Sequence, residues 1–231
     1  MKLTLMNKKI KNFIEEFIKE NKTLIFIETG TFNGTTSEWA SKLFKVVYTI
    51  EKETHFFQAA EKKFNNTNVN CINGDSSTCL SSILKNIDDT VIFWLDAHWS
   101  CEDTSGEEKE CPLLEEISII NKWNRDCVIL IDDASDFLCS PPKPHKPDHW
   151  PSISEVINKL NDISSDFTDD ISSLEIDLEN IDLTETSSNN KNVSDIYGAI
   201  LEAIEELDNL DTKLPKSILL LSEERNNLYS R

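Results

Sequence analysis

Phe26-Ile27-Glu28-Thr29-Gly30-Thr31-Phe32-Asn33-Gly34-Thr35-Thr36 is the stretch that decides the fold class. A short apolar run, Leu24 to Ile27, ends in a carboxylate, passes through a loop with two glycines and enters a helical pattern. A parallel strand feeding such a turn lets the backbone approach a ligand closely where the strand ends. Working outward, Tyr48-Thr49-Ile50-Glu51 ends a second strand in an acid. Asn73-Gly74-Asp75-Ser76 follows a third strand, Leu95-Asp96-Ala97-His98 a fourth, and Leu130-Ile131-Asp132-Asp133 a fifth. Five strands thus deliver a carboxylate to one edge, the edge at which open α/β sheets bind ligands.

The periodicity predicts strands near 23–28, 45–50, 68–72, 90–95 and 126–131, with helices near 35–44, 53–64, 76–86 and 112–123 between them. This alternation implies right-handed crossovers and a Rossmann-like, doubly wound α/β fold, with a mainly parallel sheet and helices on both faces. Residues 6–21 carry apolar residues at helical spacing and predict a lead-in helix. Five prolines among residues 139–151 exclude helix and central strand there and predict a semi-rigid loop beside the ligand edge. Ser152 with Glu155 forms a capping box for a following helix. Residues 1–165 read as one domain and 166–231 as an acidic C-terminal region. In that region 174–183 alternates like a strand, 194–208 is an amphipathic helix and 217–221 is a strand candidate.

The formal net charge of −19 argues against nucleic acid and anionic membranes as partners, since neither would meet a basic footprint. Residues 166–231 hold 16 acids and 5 bases, so more than half of that charge lies in the tail. No apolar run approaches the 18 or so residues of a membrane span. The opening Met-Lys-Leu-Thr-Leu-Met-Asn-Lys-Lys lacks the apolar core of a signal peptide, so a cytoplasmic protein is expected. Its six cysteines include no Cys-x-x-Cys pair and read as reduced thiols; a zinc site from Cys101, Cys111 and His98 would lack a close ligand pair. Glu102 to Glu110 reads as a solvated loop, and Trp99 and Trp150 as apolar walls for an acceptor. His145 and His149 lie in the proline loop, within reach of a substrate.

The loop from Glu28 to Gly34 is neither Gly-x-Gly-x-x-Gly nor a phosphate loop, and Glu28 would repel a pyrophosphate. Glu51 stands where a carboxylate accepts both hydroxyls of a ribose, or where an acid opens the next helix. Asp75-Ser76 can accept from an adenine amino group, cap the next helix, or do both.

In this order, the strand-end acids resemble those of class I S-adenosylmethionine-dependent methyltransferases. Ile27-Glu28-Thr29-Gly30 with Gly34 is similar to the loop of the cephalosporin hydroxylase-like and macrocin O-methyltransferase-like branch. Phe93-Trp94-Leu95-Asp96-Ala97-His98-Trp99-Ser100, with Cys111-Pro112-Leu113-Leu114-Glu115-Glu116-Ile117 downstream, resembles a set of bacterial methyltransferase-like proteins. The resemblance implies a loop of Glu28, Thr29, Gly30, Thr31, Asn33 and Gly34 around the methionine part of S-adenosylmethionine. It places Glu51 on the ribose and Asp75 with Ser76 on the adenine, with Asp96 alongside. It further implies Mg2+ on Asp96, Asp132 and Asp133, with Asp96 and His98 as catalytic residues and His98 as general base.

The activity so implied is methyl transfer to a hydroxyl of a small-molecule or carbohydrate acceptor, with magnesium assistance. The alternatives are a methyltransferase-like binding or scaffolding protein without turnover, and oxygenation, for which no facial His/His/carboxylate triad is visible. The resemblance also implies a closing antiparallel hairpin whose last strand lies beside strand five. Apolar faces on the lead-in helix and on 194–208 leave an oligomer open.

Overall fold

The computed structural model describes residues 14–15, 18–19, 25–100, 104–125, 127–133, 135–138, 141, 143–161 and 216–220. The strand and helix expected over 174–183 and 194–208 lie outside these residues. So does most of the lead-in helix, of which 14–15 and 18–19 are helical with Ile14 buried.

Six strands form one sheet: β1 (Ile25–Thr29), β2 (Val46–Glu51), β3 (Val69–Asn73), β4 (Val91–Leu95), β5 (Cys127–Ile131) and β6 (Lys216–Leu220). Their order is β3-β2-β1-β4-β5-β6, and every pair is parallel. The sequence explains why the middle is where it is. Ile25-Phe26-Ile27, Val91-Ile92-Phe93-Trp94-Leu95 and Cys127-Val128-Ile129-Leu130-Ile131 are continuous apolar runs, buried at every position. Such runs suit strands covered on both faces, where an alternating pattern would waste half of its side chains. β3, with the mixed pattern Val-Asn-Cys-Ile-Asn, takes the edge.

The crossovers are α1 (Thr35–Ala40), α2 (Thr54–Lys63), α3 (Ser76–Leu84) and α4 (Leu113–Trp123). After β5 come a short helix α5 (Ser135–Leu138), a 3-10 turn (Pro147–His149) and α6 (Ile153–Asn161). The capping box forms: Ser152 N–H and Oγ both donate to Glu155 Oε2 at 2.8 Å, and Glu155 N–H donates to Ser152 Oγ at 3.3 Å. The core centres on Phe26, Phe93, Ile117, Ile120 and Ile129, with Trp123 meeting Phe93 edge-on at 6.1 Å.

The last strand departs from the antiparallel closure implied by the resemblance. β6 pairs with β5 in parallel, from Cys127 opposite Lys216 to Ile131 opposite Leu220. A parallel partner requires the chain to return to the starting end of the sheet, and the long connection from Asp132 to Pro215 gives it the length to do so. By backbone contacts, residues 1–159 and 215–231 form one unit and 160–214 another. The candidate site lies wholly in the first. No helix among the described residues is long and apolar enough to cross a membrane.

Sheet order reverses between β1 and β4. Register places Thr29 opposite both Ile50 and Leu95, and Leu95 opposite Ile131. Glu51, Asp96 and Asp132 therefore emerge at nearly one level around the crevice at the switch point.

Candidate functional site

The loop after β1 is built by close backbone approach. Gly30 has φ +82°, and a Cβ there would stand 2.1 Å from the carbonyl oxygen of Asp96. The two loops are stitched together by Asp96 N–H, which donates to Thr29 O at 3.1 Å and Thr29 Oγ1 at 3.2 Å. Gly34, φ +70°, opens α1, and a Cβ there would meet the Phe64 ring at 2.8 Å. Asn33 Oδ1 accepts from Thr35 N–H at 3.2 Å and from its hydroxyl at 2.5 Å, and Thr31 Oγ1 meets Thr49 Oγ1 at 2.5 Å.

Glu28 is turned inward from this loop. It is buried and accepts from the hydroxyls of Ser37 and Thr49, the latter at 2.6 Å, with Thr36 also in contact. Burial pushes its carboxyl up to about 7 despite these hydrogen bonds. Its position fixes the loop from beneath. Glu51 is presented differently. Phe32 N–H donates to Oε2 at 2.8 Å and Glu53 N–H to Oε1 at 2.7 Å, so each oxygen is pinned and keeps a lone pair. Burial raises the Glu51 pKa against the pull of these two amides.

Asp75 caps α3. Its Oδ1 accepts from Ser77 N–H at 3.0 Å and Ser77 Oγ at 2.5 Å, and Oδ2 lies 3.2 Å from Lys52 Nζ. Partial burial works against its charge, yet the Ser77 and Lys52 contacts hold its pKa below the ordinary value. Both oxygens are thus engaged within the protein. Ser76 is buried and lies beside the carboxyl of Glu116 on α4.

Across the switch point the acids meet one another. His98 Nδ1 lies 3.4 Å from Asp96 Oδ1, and its Nε2 lies 3.1 Å from Asp133 Oδ2. Asp133, at φ +51°, donates its N–H to Asp132 Oδ1 at 2.9 Å, and the charge of Asp132 acts on Asp96. Burial, then the neighbouring carboxylates, raise Asp96 well above the usual range and Asp132 to about 6. Burial alone would lower the His98 pKa, but Asp133 and Asp96 together carry it up to about 10. As placed, His98 is ion-paired with two carboxylates, and action as a base would require it to release one of them.

This arrangement does not fit the implied magnesium. Asp96, Asp132 and Asp133 turn onto His98 and each other instead of converging on a common point. No group of three or more His, Cys, Asp or Glu among the described residues is placed to hold a metal ion. The zinc alternative fares no better: Cys101 lies outside the described residues, and burial pushes the Cys111 thiol up to about 12.

Two acids that the sequence reading passed over are the most buried. Glu110, expected in a solvated loop, has 0% exposure. Its carboxylate accepts from Trp150 Nε1 at 2.8 Å and Lys146 N–H at 3.0 Å, and its Oε2 meets His145 Nδ1 at 3.0 Å. Trp150 in turn lies 5.5 Å from His98, centroid to centroid. Two further residues of that loop are docked too, with Glu108 on Lys52 at 3.2 Å and Ser105 bonded to Glu53. The proline-rich segment and the acidic loop therefore fold together over the edge, placing Trp99, His145 and Trp150 beside the His98 cluster. The second acid, Glu116, is 1% exposed and lies beside Ser76 and Thr29; burial pushes it up to about 7.

No family model and no curated protein matches the chain. Among solved structures, it is similar to the 23S rRNA methyltransferase ErmE at 17% identity over 39% of this chain and 36% of that one, TM-score 0.31. A protein from Klebsiella pneumoniae assigned as an O-methyltransferase aligns at 12% identity over 71% and 69%, TM-score 0.43. The dTDP-glucose 4,6-dehydratase from Bacillus anthracis, in complex with NAD, aligns at 12% over 68% and 52%, TM-score 0.40. The chain spans about a third of the first and half of the third. At these identities and scores the likeness assigns neither cofactor nor activity.

Proposed function

We propose that the chain transfers a methyl group from S-adenosylmethionine to a hydroxyl of a small or sugar-like acceptor. The observation that carries this reading is Glu51. Its carboxylate is held at the switch-point level by two backbone amides, with a lone pair left on each oxygen for a ribose diol. Glu51, the Thr29–Gly34 loop and the β4 loop would hold the cofactor, which supplies an electrophilic methyl group on a sulfonium. A cationic sulfonium also suits an edge so rich in carboxylates.

On the protein side, Asp96 would receive the proton that the acceptor hydroxyl loses as the methyl group passes to its oxygen and the carbon–sulfur bond breaks, leaving a neutral thioether. His98 orients Asp96 and offsets the charge of Asp133. Trp99 and Trp150 wall the acceptor side and keep water out. No step is routed through magnesium, because the three aspartates engage His98 and one another.

A second reading has one observation in its favour. The all-parallel order β3-β2-β1-β4-β5-β6 is that of dinucleotide-binding sheets. Against it, the space beside Gly30 is filled by the carbonyl oxygen of Asp96, which would repel a pyrophosphate lying on the turn. Calorimetric titration with S-adenosylhomocysteine and, separately, NADH separates the two. Micromolar binding of the former alone is expected, and binding of NADH alone would replace the methyltransferase reading.

A further inference from the structure

We infer that residues 105–109 form a lid over the crevice between Glu51 and Asp96, fixed at its base and released at its tip when a ligand enters or leaves. The ligand is the S-adenosyl cofactor of the reading above, on which this inference rests. The base is closed by Trp99, which follows β4. Its N–H donates to Glu110 O at 2.7 Å and its Nε1 to Thr104 O at 3.2 Å, so both ends of the segment meet on one residue. Ser100 N–H adds a bond to Thr104 Oγ1 at 3.2 Å. Chain ends drawn together in this way make a compact Ω-loop.

From that root after β4 the tip lands on the loop after β2. Ser105 Oγ donates to the carboxylate of Glu53, and Glu108 accepts from Lys52 Nζ at 3.2 Å. β2 and β4 flank β1 and lie about 10 Å apart at the usual strand spacing, so the tip crosses the end of β1 and the 29–34 loop. Glu53 is also the residue whose N–H pins Glu51 Oε1, so the lid docks on the loop that presents the ribose carboxylate. The two ends are held unequally, and this decides which one opens. At the base, Glu110 is wholly buried and accepts from Trp150 Nε1 and Lys146 N–H; freeing it would strand a buried charge. At the tip, Glu108 with Lys52 and Lys109 with Glu115 are exposed ion pairs, which add little, and Lys146 Nζ on Glu107 O is exposed as well. Ser105 on Glu53 is a single hydroxyl contact.

The test measures stopped-flow association and dissociation of S-adenosylhomocysteine, followed by tryptophan fluorescence, on the full chain and on its Ser105→Ala/Glu108→Ala variant. Loss of the two tip contacts weakens the closed lid equally with and without ligand. Both rate constants should therefore rise together, by about tenfold, with Kd within about twofold of wild type. Hydrogen exchange at Lys109, whose N–H closes the tip on Gly106 O at 2.8 Å, should quicken in the variant. Trp99 and Lys146, whose N–H groups donate to Glu110, should keep their wild-type exchange rates. Unchanged rate constants overturn the lid. So does a weaker Kd carried by dissociation alone, which would make Ser105 and Glu108 ligand contacts. Should the double variant fail to fold by circular dichroism, each single variant is held to the same criterion at about threefold. Absence of binding by wild type would instead overturn the S-adenosylmethionine reading. Exchange then decides the lid by itself, and equal quickening at all three amides, or none, overturns it.

Discussion

Glu51 and Asp96 emerge at one level of the same sheet edge, on opposite sides of the switch point, and they are stabilised in opposite ways. Glu51 is held by two backbone amides that belong to its own loop neighbourhood. Asp96 is held by other side chains: His98, with Asp132 and Asp133 behind it. An acid fixed by amides keeps a defined shape whatever binds, which suits a constant cofactor. A cluster of acids sharing one imidazolium is an electrostatic unit whose members depend on one another, which suits proton movement. In the methyltransferase reading proposed above, binding belongs to the β1–β2 side and chemistry to the β4–β5 side.

The largest effect that would break this contrast comes from His98→Ala. Removing the shared cation leaves Asp96, Asp132 and Asp133 facing one another in a largely buried site. A loss of about 3 kcal/mol or more is expected from denaturant unfolding, partly recovered on acidification as the carboxylates take up protons. A loss below about 1 kcal/mol would mean that the cluster is solvated and not interdependent.

Glu51→Ala is expected to spare the fold and weaken S-adenosylhomocysteine about 30- to 100-fold, through both lost ribose contacts and the freed Phe32 amide. Binding within twofold of wild type would remove Glu51 from the cofactor site. Gly30→Ala should lower stability by about 2 kcal/mol, because a side chain at φ +82° must also displace the β4 loop. An unchanged Tm would show that the two loops are not in contact.

The smallest effect concerns Glu28, whose carboxyl is carried from 4.5 to about 7 by burial. Because folding raises this pKa, the stability that it contributes is complete below 4.5 and is lost as pH rises through about 7. Glu28→Gln should therefore flatten part of the decline in Tm over that window and leave the share from Glu116, which is shifted in the same direction. A pH profile identical to wild type would contradict the burial of Glu28.

The sheet was legible because continuous apolar runs and strand-end acids are local features. The direction of β6 was not, because it depends on where a long connection returns to the sheet. Glu28 was visible as a strand-end acid, yet its inward turn is set by Ser37 and Thr49, hydroxyls that only folding brings together. Glu110 looked like one more charge in an acidic run. Its partners at 145, 146 and 150 lie at least 35 residues downstream, in a segment legible only as proline-rich. Glu116 resembled an ordinary first-turn acid favoured by the helix dipole, and only the proximity of Thr29 and Ser76 distinguishes it. His98 was picked out for its neutral-range pKa, but the carboxylates that surround it change its role from free base to ion-pair partner.

The central claim is that this edge binds S-adenosylmethionine, and calorimetric titration of the full chain with S-adenosylhomocysteine tests it most directly, run in EDTA and again with magnesium. The account predicts micromolar binding of equal strength in both buffers. No binding in either would contradict it and favour a non-catalytic scaffold, and binding only with magnesium would contradict the placement of the three aspartates on His98.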